Sequence, residues 1–360
     1  MADQEGLSEL PPPPAFHGPT AAAAADAWGF VGNIDKKLLV DARKLVIGPM
    51  ISEGHHSVVY EGRYKSTPVA VKVMPSDMPS PESQQGKLNR EVLMLSRVKH
   101  DNVVKFIGVV LEPTLMIITE LMRGGTLQKY LWSVRPNRLD LKVSIRFALK
   151  ISQAMEYLHQ NRIIHRDLKP SNLLLTEDHK KIKIADFGSA REVSDDEMTV
   201  EVGTYRWMAP EMFNVDGLRP GAKKHYDHRV DVYSFAMVLW ELLTNRTPFK
   251  GRDNILVAYA AAMNRRPSVD DIPAGIAPFL KSCWAENPED RPEFQQITKF
   301  LEDFLRAMTK PSPRLSGAEH SSSNVEKDEE STGAECSPEQ PKKFHRSFSV
   351  RLFHRLGRCF

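Results

Sequence analysis

Hydrophobic periodicity changes once along this chain, at Glu120–Gly124, and that change restricts the fold more than any other feature. Before it, short runs rich in β-branched and aromatic residues recur: Lys44–Ile51, Ser57–Tyr64, Pro68–Met74, Val103–Leu111 and Thr114–Glu120. Runs of this kind, bounded by turn residues, read as strands. One helical pattern interrupts them, with Leu88, Val92, Leu95 and Val98 at helical spacing after Pro79 and Pro81. From Gly125 onward helical stripes take over. Asp140–His159 aligns Leu141, Ile145, Ala148, Ile151, Met155 and Leu158 on one face, and Asp227–Leu243, Asn254–Met263, Ile276–Trp284 and Glu293–Met308 continue the pattern. The expected fold class is α+β and bilobal: a small lobe of five strands and one helix, a larger mainly helical lobe, and a ligand cleft between them.

Composition assigns the rest of the chain. Residues 1–40, with Pro11–Pro14 and Ala21–Ala25, cannot bury a core and read as a flexible segment. A folded domain is expected over 41–307, a disordered acidic Ser/Pro-rich linker over 308–341 and a basic tail over 342–360. The net charge of +3 on 360 residues is too small to imply a nucleic-acid partner. Cys283, Cys336 and Cys359 are odd in number and have no C-x-x-C spacing, which excludes a disulfide framework and a cysteine zinc site and fits a reducing compartment. The start Met1–Glu5 lacks a basic n-region, and the longest apolar run, near Phe235–Leu243, is broken by Glu241. The expectation is a cytoplasmic protein, peripheral at membranes at most.

Chemistry concentrates after the long helix. The loop His165-Arg166-Asp167-Leu168-Lys169-Pro170-Ser171-Asn172 precedes a short apolar strand, Leu173–Leu175, and a second strand, Ile182–Ile184, runs into Asp186-Phe187-Gly188. Two carboxylates and an amide therefore meet at the mouth of the cleft. Phosphoryl transfer needs divalent cations to bridge phosphates, fixed cations to absorb charge and a carboxylate to orient the attacking hydroxyl. Asp186 and Asn172 supply hard oxygen ligands suited to Mg2+, with Mn2+ able to substitute. That leaves Asp167 as base and Lys169 to neutralise a terminal phosphate.

These segments, with Ala209-Pro210-Glu211, resemble the catalytic loop, metal-binding triplet and activation-segment end of protein kinases. The resemblance implies ATP as cofactor and extends to Val69-Ala70-Val71-Lys72, whose Lys72 would hold the α- and β-phosphates, and to Glu91, which would pair with it. It also implies that Ile51, Val59, Ala70 and Leu174 enclose adenine. Thr119 would stand at the back of that pocket, and the Glu120–Met122 backbone would bond the adenine edge. Glu211 and Arg291 would form a buried ion pair, Asp231 would fix the catalytic-loop backbone, and Leu95, His165 and Phe187 would stack. The chain departs from the family in its phosphate loop. Three glycines are expected at 52, 54 and 57, but Ser52 and Ser57 flank Gly54. Glycine lets backbone N–H groups approach phosphates without Cβ interference, so a weaker hold on ATP is expected. His55 and His56 at the tip read as solvated residues in preference to metal ligands.

Lys169, two residues after the base, is similar to serine/threonine kinases. Arg206-Trp207-Met208, Asp231-Val232-Tyr233-Ser234-Phe235 and Cys283-Trp284 are similar to tyrosine kinases. The hybrid resembles the tyrosine-kinase-like group. Gly203–Met208 and the run from Lys223–Tyr226 through Leu242–Phe249 resemble plant Raf-like kinases of the mitogen-activated protein kinase kinase kinase type. This implies transfer to serine and threonine of protein substrates, downstream kinases among them, with Thr204 part of the substrate platform. Arg166 beside the base implies activation by a phosphate in the activation segment. Thr199 is favoured over Ser194, whose neighbours Asp195, Asp196 and Glu197 would repel a phosphate; the alternative is that these acids already hold the segment. The competing function is a nucleotide-binding pseudokinase or scaffold.

The tail carries Lys342, Lys343, Arg346, Arg351, Arg355 and Arg358, and aligns Phe344, Phe348, Leu352, Phe353, Leu356 and Phe360 on one helical face. A basic amphipathic helix of this kind suits an anionic membrane or a calmodulin-like partner; the alternative is accidental spacing in a disordered tail. Oligomeric state has no sequence signature here.

Overall fold

The structure, a computed structural model, describes residues 35–54, 57–73, 81–111, 114–192, 198–199, 205–213, 223–224 and 226–309, with backbone alone for 81–88, 198–199 and 223–224. His55, His56, Ser194, Thr204, residues 1–34 of the N-terminal segment, the linker beyond Thr309 and the tail lie outside the described residues, and Thr199 is described by its backbone only. The end of the segment expected to be flexible is instead ordered, with a 3-10 turn at Lys36–Leu38 capped by Asp35, Leu39 bridged to Val109 and Val40 buried against the sheet, and Met308 and Thr309 close the last helix.

Strands β1 (Leu45–Glu53), β2 (Val58–Tyr64), β3 (Thr67–Val73), β4 (Phe106–Val110) and β5 (Met116–Glu120) form one antiparallel sheet in the order β1-β2-β3-β5-β4. The period-two pattern of β3 sets its two faces. Val69, Val71 and Val73 are buried with Val40, Val110, Met116 and Ile118. Ala70 and Lys72, half-buried, fall on the opposite face. Helix α1 (Pro81–Arg97) buries Glu91, Val92, Met94 and Leu95. The fourth strand is shorter than expected: Val103 and Val104 leave the sheet to bond the backbone of Ile184, Val103 through an isolated bridge and Val104 through its N–H.

The second half is helical, as its periodicity requires. Helix α2 (Leu127–Val134) starts at Thr126, whose side chain accepts the Lys129 N–H. Helix α3 (Leu141–Gln160) is capped by Asp140, accepting from the Val143 N–H, and buries Ile145, Ala148, Ile151, Met155 and Leu158. The leucine, isoleucine and methionine side chains contribute about 1.5–3 kcal/mol each relative to exposure. Helix α4 (Arg229–Thr244) is buried from Val230 to Thr244, the condition under which a helix carries apolar residues on every side. It ends on Asn245 in the left-handed region, φ +51. Of the helices that follow, α5 (Asn254–Ala262), α6 (Ala277–Cys283) and α7 (Phe294–Thr309), α6 packs on α4 and α7 packs on α3. Phe279 stacks on Phe300, with ring centroids 3.8 Å apart.

Short ladders sit at the junction of the halves: β6 (Ile163–Ile164) with β9 (Arg191–Glu192), and β7 (Leu173–Leu175) with β8 (Ile182–Ile184). Thr199, on β10 (Met198–Thr199), pairs with Lys223 on β11 (Lys223–Lys224). One core runs from Val92 and Leu95 through Phe187 to α3 and α4. Among the described residues no helix is long and apolar enough to cross a membrane.

Candidate active site

The loop between β6 and β7 hangs from α4. The carboxylate of Asp231, with no exposed surface, accepts the backbone N–H groups of His165 and Arg166, both at 2.8 Å, and meets His159 Nε2 at 2.9 Å. These bonds hold Arg166 in the left-handed region, φ +68, which costs a non-glycine residue about 1–3 kcal/mol. Asp186 is held there too, φ +64. Arg166 lies over the Tyr226 ring, 5.5 Å from its centroid. The His165 and Phe187 rings meet edge to face at 5.2 Å, both fully buried, with Leu95 in the same core.

Two clusters of charge result. In the first, Lys72 Nζ lies 2.7 Å from Glu91 Oε2 and 3.1 Å from Asp186 Oδ1. Burial alone would lower the Lys72 ammonium, but the Asp186 and Glu91 carboxylates outweigh it and raise it above the ordinary lysine range. Burial pushes Glu91 up, partly offset by Lys72. The charge of Lys72 outweighs burial at Asp186 and brings its carboxyl down to about 2.

In the second cluster, Lys169 Nζ lies 2.7 Å from Asp167 Oδ2, and Asn172 Nδ2 donates to the Asp167 backbone carbonyl at 2.8 Å and to its Oδ2 at 2.9 Å. Burial raises Asp167, the Lys169 charge partly offsets this, and the charge of Asp186 adds to the rise. The clusters are therefore close enough to feel each other's charge. An ionised carboxylate only accepts, so the Asn172 amide nitrogen faces Asp167 and its oxygen is turned away. That oxygen and the half-exposed Asp186 carboxylate form a hard, all-oxygen donor set that fits Mg2+.

Around these clusters lie the residues predicted to enclose a nucleotide. Val59 pairs with Lys72, and Ala70 with Thr119. Thr119 and Leu174 are half-buried and Met122 is buried. Ile51, Ser52 and Gly54 are exposed and Ser57 half-buried. Gly54 does not occupy a positive-φ conformation, and a Cβ there would sit 3.4 Å from the Ser57 carbonyl, an ordinary contact. The fold therefore does not itself require glycine at 54.

Three arrangements had no signal in the sequence. Glu120 accepts the Lys105 N–H at 2.6 Å and pairs with Lys183, tying β5 to β8. Arg206 donates to the carbonyls of Pro248, Phe249 and Arg252 at 2.6–2.9 Å. Arg135 reaches Glu241 at 3.3 Å, and burial pushes Glu241 up to about 7. Carbonyl acceptors and lone long-range pairs carry no motif. By contrast, Glu211 and Arg291 pair as the family pattern implies, with a second Nη2–Oε2 contact at 3.0 Å.

A family model described as protein tyrosine and serine/threonine kinase matches residues 45–301. Serine/threonine/tyrosine-protein kinase HT1 of Arabidopsis thaliana is 41% identical over 303 residues, covering 81% of this chain and 75% of the relative. Serine/threonine-protein kinase STY17 of the same plant is 36% identical over 271 residues, 74% of this chain and 46% of the relative. A mitogen-activated protein kinase kinase kinase of Drosophila melanogaster is 34% identical over 279 residues, 73% of this chain and 23% of the relative.

Proposed function

The chain belongs to the protein tyrosine and serine/threonine kinase family, and from that premise we propose that it transfers the γ-phosphate of ATP to serine and threonine hydroxyls of signalling proteins, downstream kinases among them. The observation that carries the reading is the pair of charge clusters: Lys72–Glu91–Asp186 closed at 2.7 and 3.1 Å, beside Asp167 held by Lys169 and Asn172. Asp167 accepts the proton of the attacking hydroxyl, and Lys169 shields the charge it approaches. Lys72, oriented by Glu91, holds the α- and β-phosphates. Asn172 and Asp186 would hold Mg2+, which would supply positive charge against the phosphates. Ile51, Val59, Ala70 and Leu174 enclose adenine, Thr119 backs it, and the Glu120–Met122 backbone bonds its edge. Ser52, Gly54 and Ser57 cover the phosphates.

Lys169 places a cation beside a short aliphatic hydroxyl, which supports serine and threonine over tyrosine, although the name of HT1 carries all three. Thr204 belongs to the peptide platform. Thr199 is the activating phosphosite ahead of Ser194, its phosphate paired with Arg166. The catalytic domain spans 41–307, works in the cytoplasm, and is brought to anionic membranes or a calmodulin-like partner by the basic tail.

The deciding assay incubates the full chain with ATP, Mg2+ and a generic protein substrate beside Asp186→Asn, and identifies the phosphorylated amino acid. Phosphoserine and phosphothreonine from the unsubstituted chain and background from Asp186→Asn are expected. Background from both would establish the scaffold reading, and dominant phosphotyrosine would overturn the specificity.

A further inference from the structure

Around His159, which meets the Asp231 carboxylate, three donors from three elements converge. His159 lies in the last turn of α3, His228 immediately before α4, and Glu293 immediately before α7. One ligand atom of each lies within 4.8 Å of the other two. His228 Nε2 and Glu293 Oε2 are 2.7 Å apart. The rings of His159 and His228 meet edge to face at 5.0 Å, and Phe294 closes against His159 at 4.9 Å as an apolar wall.

The tautomer of His159 follows from its neighbour. Its Nε2 sits 2.9 Å from the Asp231 carboxylate, which already accepts two backbone N–H groups and has only acceptor capacity to offer. Nε2 therefore carries the hydrogen, and in the neutral ring the lone pair is on Nδ1. The side chain is only 9% exposed, and Nδ1 is buried with no hydrogen-bond donor. A buried lone pair of this kind is costly unless a hydrogen-bond donor or a Lewis acid meets it.

Carboxylate to histidine to open lone pair is the order in which proteins orient imidazole ligands toward metals. Two imidazoles and a carboxylate suit borderline transition ions and not Mg2+ or Ca2+, which prefer all-oxygen sets. Donors around a tetrahedral ion with bonds of about 2.0–2.1 Å stand roughly 3.3 Å apart, so the His228–Glu293 pair at 2.7 Å must open by about 0.6 Å and the spacings to His159, within 4.8 Å, must close by up to about 1.5 Å. His228 and Glu293 can supply that movement, since their side chains are 27% and 45% exposed. The local charge also favours a dication. Arg229 is the guanidinium facing the cluster, 3.4 Å from Glu293, and it already serves Asp227 and Glu289. Arg291 is committed to Glu211.

We propose that His159, through Nδ1, together with His228 and Glu293 binds one divalent transition-metal ion of the zinc type, with solvent completing the shell. The site is separate from Asn172 and Asp186, and Asp231 joins it to the catalytic loop from behind.

The test uses the untagged full chain, stripped of metal and titrated with Zn2+ alone in the absence of nucleotide, beside His228→Gln, Glu293→Gln and Asp186→Asn. One equivalent should bind to the unsubstituted chain and to Asp186→Asn with equal affinity, and at least tenfold more weakly to His228→Gln and Glu293→Gln. Co2+ should give the strong visible absorption of a tetrahedral site in the unsubstituted chain and lose it in both variants. Uptake of no Zn2+ by the unsubstituted chain would overturn the proposal without reference to any variant. Equal affinity in all four proteins would also overturn it, because the metal would then reside elsewhere.

Discussion

The floor of the cleft hangs from a helix buried from Val230 to Thr244, whereas the strand proposed as its roof is exposed from Gly48 to Glu53 and slips register twice against β2. On the floor the reacting carboxylate has fixed partners: Asp167 has Lys169 and Asn172, and the loop beneath it has Asp231. On the roof, Ser52 and Gly54 contribute little to packing. The difference teaches that placing the reacting groups and covering the phosphates are separate problems. The first is solved by buried polar anchors. The second is left to exposed backbone.

The most severe test of this contrast is Asp167→Asn. The turnover number should fall by about 10²–10⁴, as expected for loss of a positioned general base. A residual rate within tenfold of the parent would remove Asp167 from the proposed role. Next in size is Arg291→Met, which leaves Glu211 without its guanidinium and should cost roughly 3–5 kcal/mol in denaturant unfolding. Met50→Ser on the exposed roof should cost less than about 0.5 kcal/mol. Comparable losses at the two sites would break the comparison.

Glu241 sharpens it through pH. Burial raises its folded pKa to about 7, so the folded state holds a proton that the unfolded chain releases at lower pH. Its contribution to stability is therefore full in acid and lost as pH rises through about 7. The unsubstituted chain should lose on the order of 2–3 kcal/mol more than Glu241→Gln between pH 5 and 8. Parallel pH profiles of the two proteins would show that Arg135 fully compensates the buried charge. Asp186 runs the other way: with its carboxyl down near 2, its contribution is lost only as pH falls below the ordinary aspartate range, so it leaves that window untouched. The smallest effect belongs to the roof. Ser52→Gly with Ser57→Gly should lower the ATP KM by about threefold, roughly 0.6 kcal/mol, with turnover unchanged. An unchanged KM would mean that the serines do not crowd the phosphates.

The period change at Glu120–Gly124 made the five-stranded sheet and most of the helices legible, because packing enforces the periods of two and 3.6 on any buried face. Helix α2 escaped, since eight residues with only Leu127 and Leu131 buried make too short a stripe to stand out. The two-residue ladder of β6 with β9 escaped for the same reason. Within the candidate site, Lys72, Glu91, Asp167, Asn172 and Asp186 were legible as an ordered set, and the structure brings them together. What could not be read were contacts whose acceptors are backbone carbonyls, such as those of Arg206, and isolated pairs such as Glu120–Lys183. Their chemistry depends on distance alone, which the sequence does not contain.

Asp231 also alters the timescale on which the loop can open. The amides of His165 and Arg166 belong to no helix or strand, yet their acceptor is a carboxylate with no exposed surface on a fully interior helix. In hydrogen–deuterium exchange they should resemble the amides of α4, releasing their protons only when the whole helical half unfolds and not by loop fraying. A loop that exchanges like a core has no partly open form, so heat should remove catalysis and fold in a single step.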